Sequence, residues 1–304
     1  MDKQRLQKLV LTLEEKDHFP KSQIAAQKNM PLPSVQVLRE IVENLRSVLF
    51  PGYFGSSYVD ERTRSYYLGA SLDKIYRLLK EQILYGSCFA CEQKQAQCEE
   101  CVQEAERIAS QFLLELPKIK ELLATDVMAA YIGDPAAKTP GEAIFCYPSI
   151  RALTNYRLAH ALFKLGVKII PRIITEMAHS ETGIDIHPGA TIGRSFFIDH
   201  GTGTVIGETC IIGNNVRIYQ GVTLGAKSFP KDEKNILIKG LPRHPIVEDE
   251  VIIYAGATIL GRVTIGKNSI IGGNVWITHD VPPNTIVRQA KRENISVTEQ
   301  KKEV

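Results

Sequence analysis

The chain has 304 residues, 44% of them hydrophobic, and its 37 basic and 34 acidic side chains leave a formal charge of +3. That near balance excludes the clustered basic stripe of a nucleic-acid surface, and the length suffices for one long or two ordinary domains with buried cores. No apolar run reaches the length that spans a bilayer, and the N-terminus MDKQRLQKLV lacks the apolar core of a signal peptide, so the expectation is a soluble cytoplasmic protein.

The first 180 or so residues carry helical spacing and almost no alternation of period two. Pro33-Ser34 precedes VQVLREIVENLRSVLF, apolar at three and four spacing, with Ser34 placed to cap it. A second helix is predicted from Arg62 to Tyr85 and a third from Cys101 to Leu116, with Pro117 ending or kinking it. Leu122 to Tyr131 reads as a separate short helix before the turn Gly133-Asp134-Pro135. Ser149 to Leu165 repeats the apolar spacing, and Pro171 opens a last short helix toward His179.

Between the second and third of these helices stand Cys88, Cys91, Cys98 and Cys101, the spacing C-x2-C-x6-C-x2-C. Two such knuckles can converge on one tetrahedral ion, zinc or else iron, and four thiolates would leave no open position for substrate, so the site reads as structural. Four reduced thiols on helix turns are the alternative. Cys146 and Cys210 stand alone and read as packing residues.

At Gly183 the pattern changes. Aliphatic residues recur every six positions at Ile186, Ile192 and Ile198, at Ile206, Ile212, Ile218 and Leu224, and at Val247, Ile253, Ile259, Ile265, Ile271 and Ile277. Period six fits neither a helix nor an amphipathic strand; it fits a parallel β-helix whose flat faces each point one aliphatic residue inward. Gly follows that residue at Ile192, Ile206, Ile212, Leu224, Ile265 and Ile271, where a missing side chain is expected to let the corner turn tightly. The predicted architecture is an all-helical domain over 1–182, a left-handed parallel β-helix over 183–283 and a charged tail over 284–304. A coil needs its ends covered, which the helical half can do, and its flat sides suit packing of identical chains into a trimer with sites between subunits.

The beat breaks twice. Ile198 to Ile206 spans eight positions, an insertion of two within Asp199-His200-Gly201-Thr202-Gly203-Thr204; Leu224 to Val247 extrudes a polar loop that ends in Arg243-His244-Pro245. Loops of that length in a repeat array point to function. Lys227, Lys231, Lys234 and Lys239 in that loop read as solvated rather than as a phosphate-binding patch. With the turn Asp185-Ile186-His187-Pro188, the breaks gather three histidines, two aspartates and an arginine. His187 and His200 are thirteen positions apart, hence on different edges of a coil of about eighteen residues. A histidine beside a carboxylate can act as a general base, and an arginine can hold a carboxylate by paired hydrogen bonds; the set suits deprotonation of a hydroxyl on a small carboxylate-bearing substrate.

DIHPGATIG, then IDHGTGTVIGETCIIGNNVRIYQGVTLG, then RHP and the resumed hexapeptides, resemble serine O-acetyltransferase, which makes O-acetylserine from serine and acetyl-CoA in cysteine biosynthesis. Asp134-Pro135-Ala136 and YRLAH at Tyr156 to His160 are similar to that family's helical elements, so the resemblance covers roughly 120–285. It implies His200 as general base with Asp185 as its hydrogen-bonding partner, and direct attack of the serine alkoxide on the thioester. It implies Arg243 and His244 on the serine carboxylate, Asp134 and Asp199 on its ammonium, and Glu208 supporting them. It places the acetyl-CoA arm near Gly225, Ala255 and Gly273. It also names cysteine synthase as a partner, reached in many members through a C-terminal isoleucine where this chain carries Val304, and a trimer or hexamer as the assembly. The loop before RHP is longer here than the family's usual glycine-rich one, and the cysteine knuckle is an addition.

Three other readings fit parts of the pattern. A same-fold acetyltransferase acting on a sugar hydroxyl or amine needs neither Arg243 nor Asp134. A hexapeptide carbonic anhydrase would gather His187, His200 and His244 around a catalytic metal at a subunit interface. A scaffold whose coil only oligomerises the helical half needs none of them.

Overall fold

The structure is a computed structural model that describes residues 1–15, 31–55, 61–90 and 99–290, with the backbone alone of 14, 15 and 88–90. Its helices are α1 (Lys3–Glu15), α2 (Val35–Leu49), α3 (Arg64–Ala90), α4 (Glu99–Gly133), α5 (Pro140–Cys146), α6 (Pro148–Lys164) and α7 (Ile170–Thr182). Ser34 caps α2 as expected, its Oγ accepting from the Val37 N–H at 3.3 Å. Residues 101–133 form one helix rather than two. Pro117 lies inside it, sacrificing one backbone hydrogen bond, while Phe112, Leu116, Ile119 and Leu123 continue a single buried stripe across the proline. The thiols of Cys88, Cys91 and Cys98 fall outside the described residues. Cys210 is buried as expected, but Cys146 is exposed at the end of α5.

The coil is built of β1 (Asp185–Ile186), β2 (Thr191–Ile192), β3 (Phe197–Asp199), β4 (Val205–Ile206), β5 (Ile211–Ile212), β6 (Arg217–Tyr219), β7 (Thr223–Gly225), β8 (Ile246–Val247), β9 (Ile252–Ile253), β10 (Thr258–Leu260), β11 (Thr264–Ile265), β12 (Ile270–Ile271), β13 (Trp276–Ile277) and β14 (Ile286–Val287). They stack into three parallel sheets, β1-β4-β7-β10-β13, β2-β5-β8-β11 and β3-β6-β9-β12-β14, here the first, second and third sheets. The fold is therefore a helical region followed by a parallel β-helix of about five turns. β14 carries the coil past residue 283. All thirteen period-six aliphatic residues are inside, none more than 7% exposed. Each contributes about 1.5–3 kcal/mol by leaving water.

The glycines after the inward residues do not act as expected. None of Gly193, Gly207, Gly213, Gly225, Gly266 and Gly272 has positive φ. They are there for clearance: a Cβ on Gly193 would stand 2.6 Å from Gly213 O in the next coil, and one on Gly207 would overlap the His244 ring. The left-handed residues come a position or two further along the corners. Ser195, Asn215, Glu250, Asn268 and Asn284 stack between the second and third sheets, and His200, Gly221, Gly256 and Asn274 between the third and first. Asparagine tolerates this conformation because its short polar side chain bonds locally, and Asn215 Nδ2 donates to Glu250 Oε1 at 2.7 Å.

The helices close the first turn of the coil through polar side chains that meet its unpaired carbonyls. Along α6, Tyr156 Oη donates to Ala190 O at 2.6 Å, Arg157 Nη2 to Gly193 O at 2.8 Å, and His160 Nδ1 to Pro188 O at 2.8 Å. Arg157 also forks onto Asp126 of α4 at 2.5 and 2.8 Å, and Asp126 Oδ1 accepts from the Phe196 N–H at 3.1 Å. The YRLAH element is thus the clamp between helices and coil.

Candidate functional site

The inserted residues turn the corner between the third and first sheets through left-handed backbone at His200 (φ 57), Gly201 (φ 90) and Gly203 (φ 77). This throws the His200 side chain outward, 74% exposed, with Nε2 3.8 Å from Asp199 Oδ1. Gly133 ends α4 so close to β3 that a Cβ would meet Phe197 at 2.7 Å, and the next residue, Asp134, is delivered to the same corner. Asp134 Oδ1 accepts from the Ala136 N–H at 2.8 Å and Oδ2 from the Tyr147 hydroxyl at 2.5 Å. The Tyr147 hydroxyl, the Ala136 N–H and nearby His200 hold the Asp134 carboxyl below the usual carboxylate range. Burial and the Asp134 and Asp199 carboxylates push the Tyr147 phenol up. Asp134, Tyr147, Asp199 and His200 form one group.

A second group lies across the first sheet, at its corner with the second. Arg243 Nη2 pairs with Glu208 Oε2 at 2.7 Å. His244 is buried, its ring against Gly207, with Nδ1 3.0 Å from the Thr209 backbone nitrogen and 2.9 Å from Thr209 Oγ1. Nδ1 therefore accepts, and Nε2 carries the proton. Thr209 Oγ1 accepts in turn from the backbone N–H groups of Arg243 and His244 at 2.9 and 3.1 Å, and Arg262 Nη1 donates to Thr209 O at 2.6 Å and His244 O at 3.0 Å. One threonine thus ties the end of the extruded loop to the coil. Thr209→Val should cost about 1–3 kcal/mol in chemical denaturation by leaving these N–H groups unpaired, whereas Thr209→Ser should cost little.

Burial and Arg243 depress the His244 pKa to about 4; burial likewise lowers those of His187 and His160. All three stay neutral in the folded chain where free histidine, with an ordinary value of 6.5, takes up a proton. The unfolded chain then binds more protons between about pH 6.5 and 4, so stability is full above that window and falls as pH drops through it. The thermal midpoint should decline from pH 7 to pH 5, and less steeply in His244→Gln.

Asp185 faces outward from β1 and does not bond His200. Arg172 of α7 holds it instead, Nη1 at 3.2 Å from Oδ1. His187 accepts from the Gly189 N–H at its own Nδ1, 3.0 Å away, and lies on the Arg243 corner rather than that of His200. Among the described residues no three histidines of one protomer converge, so the three-histidine metal site of a carbonic anhydrase could form only between subunits. Ala255 and Gly273 stack on the His200 side, with the Asn274 N–H donating to Ala255 O at 2.9 Å, whereas Gly225 lies near the other corner. The extruded loop folds back as a hairpin bridged at Lys231 and Leu237 and roofs a cavity of about 500 Å³ lined by Lys227, Phe229, Lys239, Arg243 and Arg262. Tyr147, Thr209, Arg172 and Arg262 were not anticipated from the sequence; only the nearness of Thr209 to Glu208 offered a signal.

Residues 244–279 match the family model described as bacterial transferase hexapeptide (six repeats). Over 264 residues the chain is 55% identical to the plasmid serine acetyltransferase of Synechococcus elongatus, covering 86% of this chain and 83% of the relative. It is 45% identical over 161 residues to the serine acetyltransferase of Bacillus subtilis, 53% of this chain and 70% of that one. Among solved structures, Entamoeba histolytica serine acetyltransferase 1 in complex with L-cysteine superposes with a TM-score of 0.72 at 39% identity, covering 82% of this chain and 86% of that one. A serine acetyltransferase in complex with CoA superposes with a TM-score of 0.52 at 25% identity, covering 83% and 95%. Helical cap, hexapeptide coil and long-range identity agree: this chain belongs to the serine acetyltransferase family.

Proposed function

We propose that the protein transfers the acetyl group of acetyl-CoA to the hydroxyl of L-serine, giving O-acetylserine and CoA, at sites formed between protomers of a trimer. The observation that carries this reading is the separation of the two groups. A solvent-facing base with carboxylates and an arginine–imidazole pair lie on opposite corners of the first sheet, each incomplete in one protomer. Three-fold packing of coils brings one corner of each protomer against the other corner of the next. His200 takes the serine hydroxyl proton as the oxygen attacks the thioester carbon, then returns it to the departing CoA thiolate. Asp185 orients the ring and stabilises the imidazolium. Arg243, braced by Glu208, and His244 through its Nε2–H hold the substrate carboxylate. Asp134 and Asp199 receive its ammonium. The acetyl-CoA arm runs between coils past Gly225, Ala255 and Gly273.

The exposed apolar stripe Leu6, Leu9, Val10 and Leu13 of α1 gives trimers a surface for pairing. Cys88, Cys91, Cys98 and Cys101 form a structural zinc site: Cys88 lies in the last turn of α3 and Cys101 in the first turn of α4, so the two pairs flank one helix connection. Metal content near one zinc per chain by elemental analysis supports this, and its absence defeats it.

The decisive assay is thiol release from acetyl-CoA by purified protein with L-serine, L-threonine or a simple sugar as acceptor. Serine-dependent release is expected. Release with the sugar alone would keep the fold and sink the substrate.

A further inference from the structure

Arg172 is the third residue of α7, where the helix dipole disfavours a cation, and that first turn holds no acidic residue. The turn that starts α7 is strained: Ile169 has φ 54 and ψ −48, and the Ile170 N–H donates to Lys168 O at 2.6 Å, a γ-turn of positive φ at a β-branched residue. This sharp reversal sets α7, and Arg172 with it, against β1. One guanidinium nitrogen faces Asp185 Oδ1; another pairs with Glu176, whose second oxygen lies 3.1 Å from His179 Nδ1. Ligand atoms of Glu176, His179 and Asp185 lie within 4.8 Å of one another, and Arg172 supplies the counter-charge there. Asp185 Oδ1 is buried and neither carboxylate oxygen accepts a hydrogen bond, an unusual state for a carboxylate. The charged and titratable groups facing it are Arg172, Glu176 and His179 from α7 and His187 along its own strand.

We propose that Arg172 is a positioning residue for acyl transfer: it pins Oδ1 of Asp185 against the capping helix so that Oδ2 is presented to His200, with Glu176, itself bonded to His179, holding the guanidinium. This rests on the reading of Asp185 as the partner of His200. Misdirecting a catalytic carboxylate by about an ångström can lower the rate on the order of 10²-fold. Arg172→Ala is therefore expected to lower kcat about 10–100-fold with KM for serine and acetyl-CoA unchanged, and Arg172→Lys to recover part of it. In an Asp185→Ala background, Arg172→Ala should lower kcat no further. Glu176→Gln, which only loosens the guanidinium, should give a smaller fall and serves if Arg172→Ala fails to fold. A slow Asp185→Ala beside an Arg172→Ala of normal kcat, or equal losses from Arg172→Ala in both backgrounds, overturns the positioning role alone. A normal kcat in Asp185→Ala overturns the partner assignment beneath it.

Discussion

Replacing His200 by Ala lowers kcat about 10²–10⁴-fold and leaves both KM values within a few-fold, because a general base acts on the transition state and contributes little to ground-state binding. His200 is 74% exposed in the protomer and has no hydrogen bond of its own, so its loss removes no packing and the variant should fold and assemble normally. Arg243→Ala should act differently: it frees Glu208 and raises KM for serine, since the arginine holds a carboxylate present in ground and transition states alike. Mixing these two impaired variants tests the arrangement itself. If each site takes its His200 corner from one protomer and its Arg243 corner from the next, every mixed trimer holds one intact site. Equal mixing then recovers about a quarter of wild-type activity. If one protomer supplies both corners, mixing recovers none.

The sequence speaks most clearly where structure repeats. A side chain that must point inward once per face leaves a period that no other architecture produces, so the coil could be read, and an insertion of two could be recognised as a deformed corner holding His200. Conformation at the corners was harder. Period six shows where a glycine falls but not whether backbone angle or clearance demands it, and Gly193, Gly207 and Gly213 prove to be clearance residues. Pro117 is equally ambiguous in sequence, because whether a helix survives a proline depends on the apolar stripe continuing beyond it, as it does here. Contacts between elements left no period at all. Tyr147 reaches Asp134 from the start of α6, Thr209 reaches His244 across 35 positions, and Arg172 reaches Asp185 from a capping helix. None follows from a pattern within its own segment.

The largest loss of stability is expected from a residue with no part in the chemistry. Arg157 is 4% exposed and Asp126 0%, and their fork is the only charged pair among the described residues in which both side chains are this deeply buried. Burial pushes the Asp126 carboxyl up from its ordinary range, and the guanidinium and the Phe196 N–H oppose that shift. Arg157→Met keeps most of the apolar stem but strands the carboxylate in the core and leaves Gly193 O without its donor, a change that typically costs about 3–5 kcal/mol. Asp126→Leu alone strands the guanidinium in the same way. The double variant Arg157→Met/Asp126→Leu buries no charge and should be less damaged than either single change, leaving mainly the unpaired Gly193 carbonyl and Phe196 N–H. Unfolding midpoints in urea, taken at one protein concentration because assembly adds to apparent stability, would separate these cases. Additive losses in the double variant would mean that the pair acts as two independent packing residues. Recovery would show that the fork is kept for where it points, at the carbonyls of the first coil, fixing the register in which α4 brings Asp134 to His200.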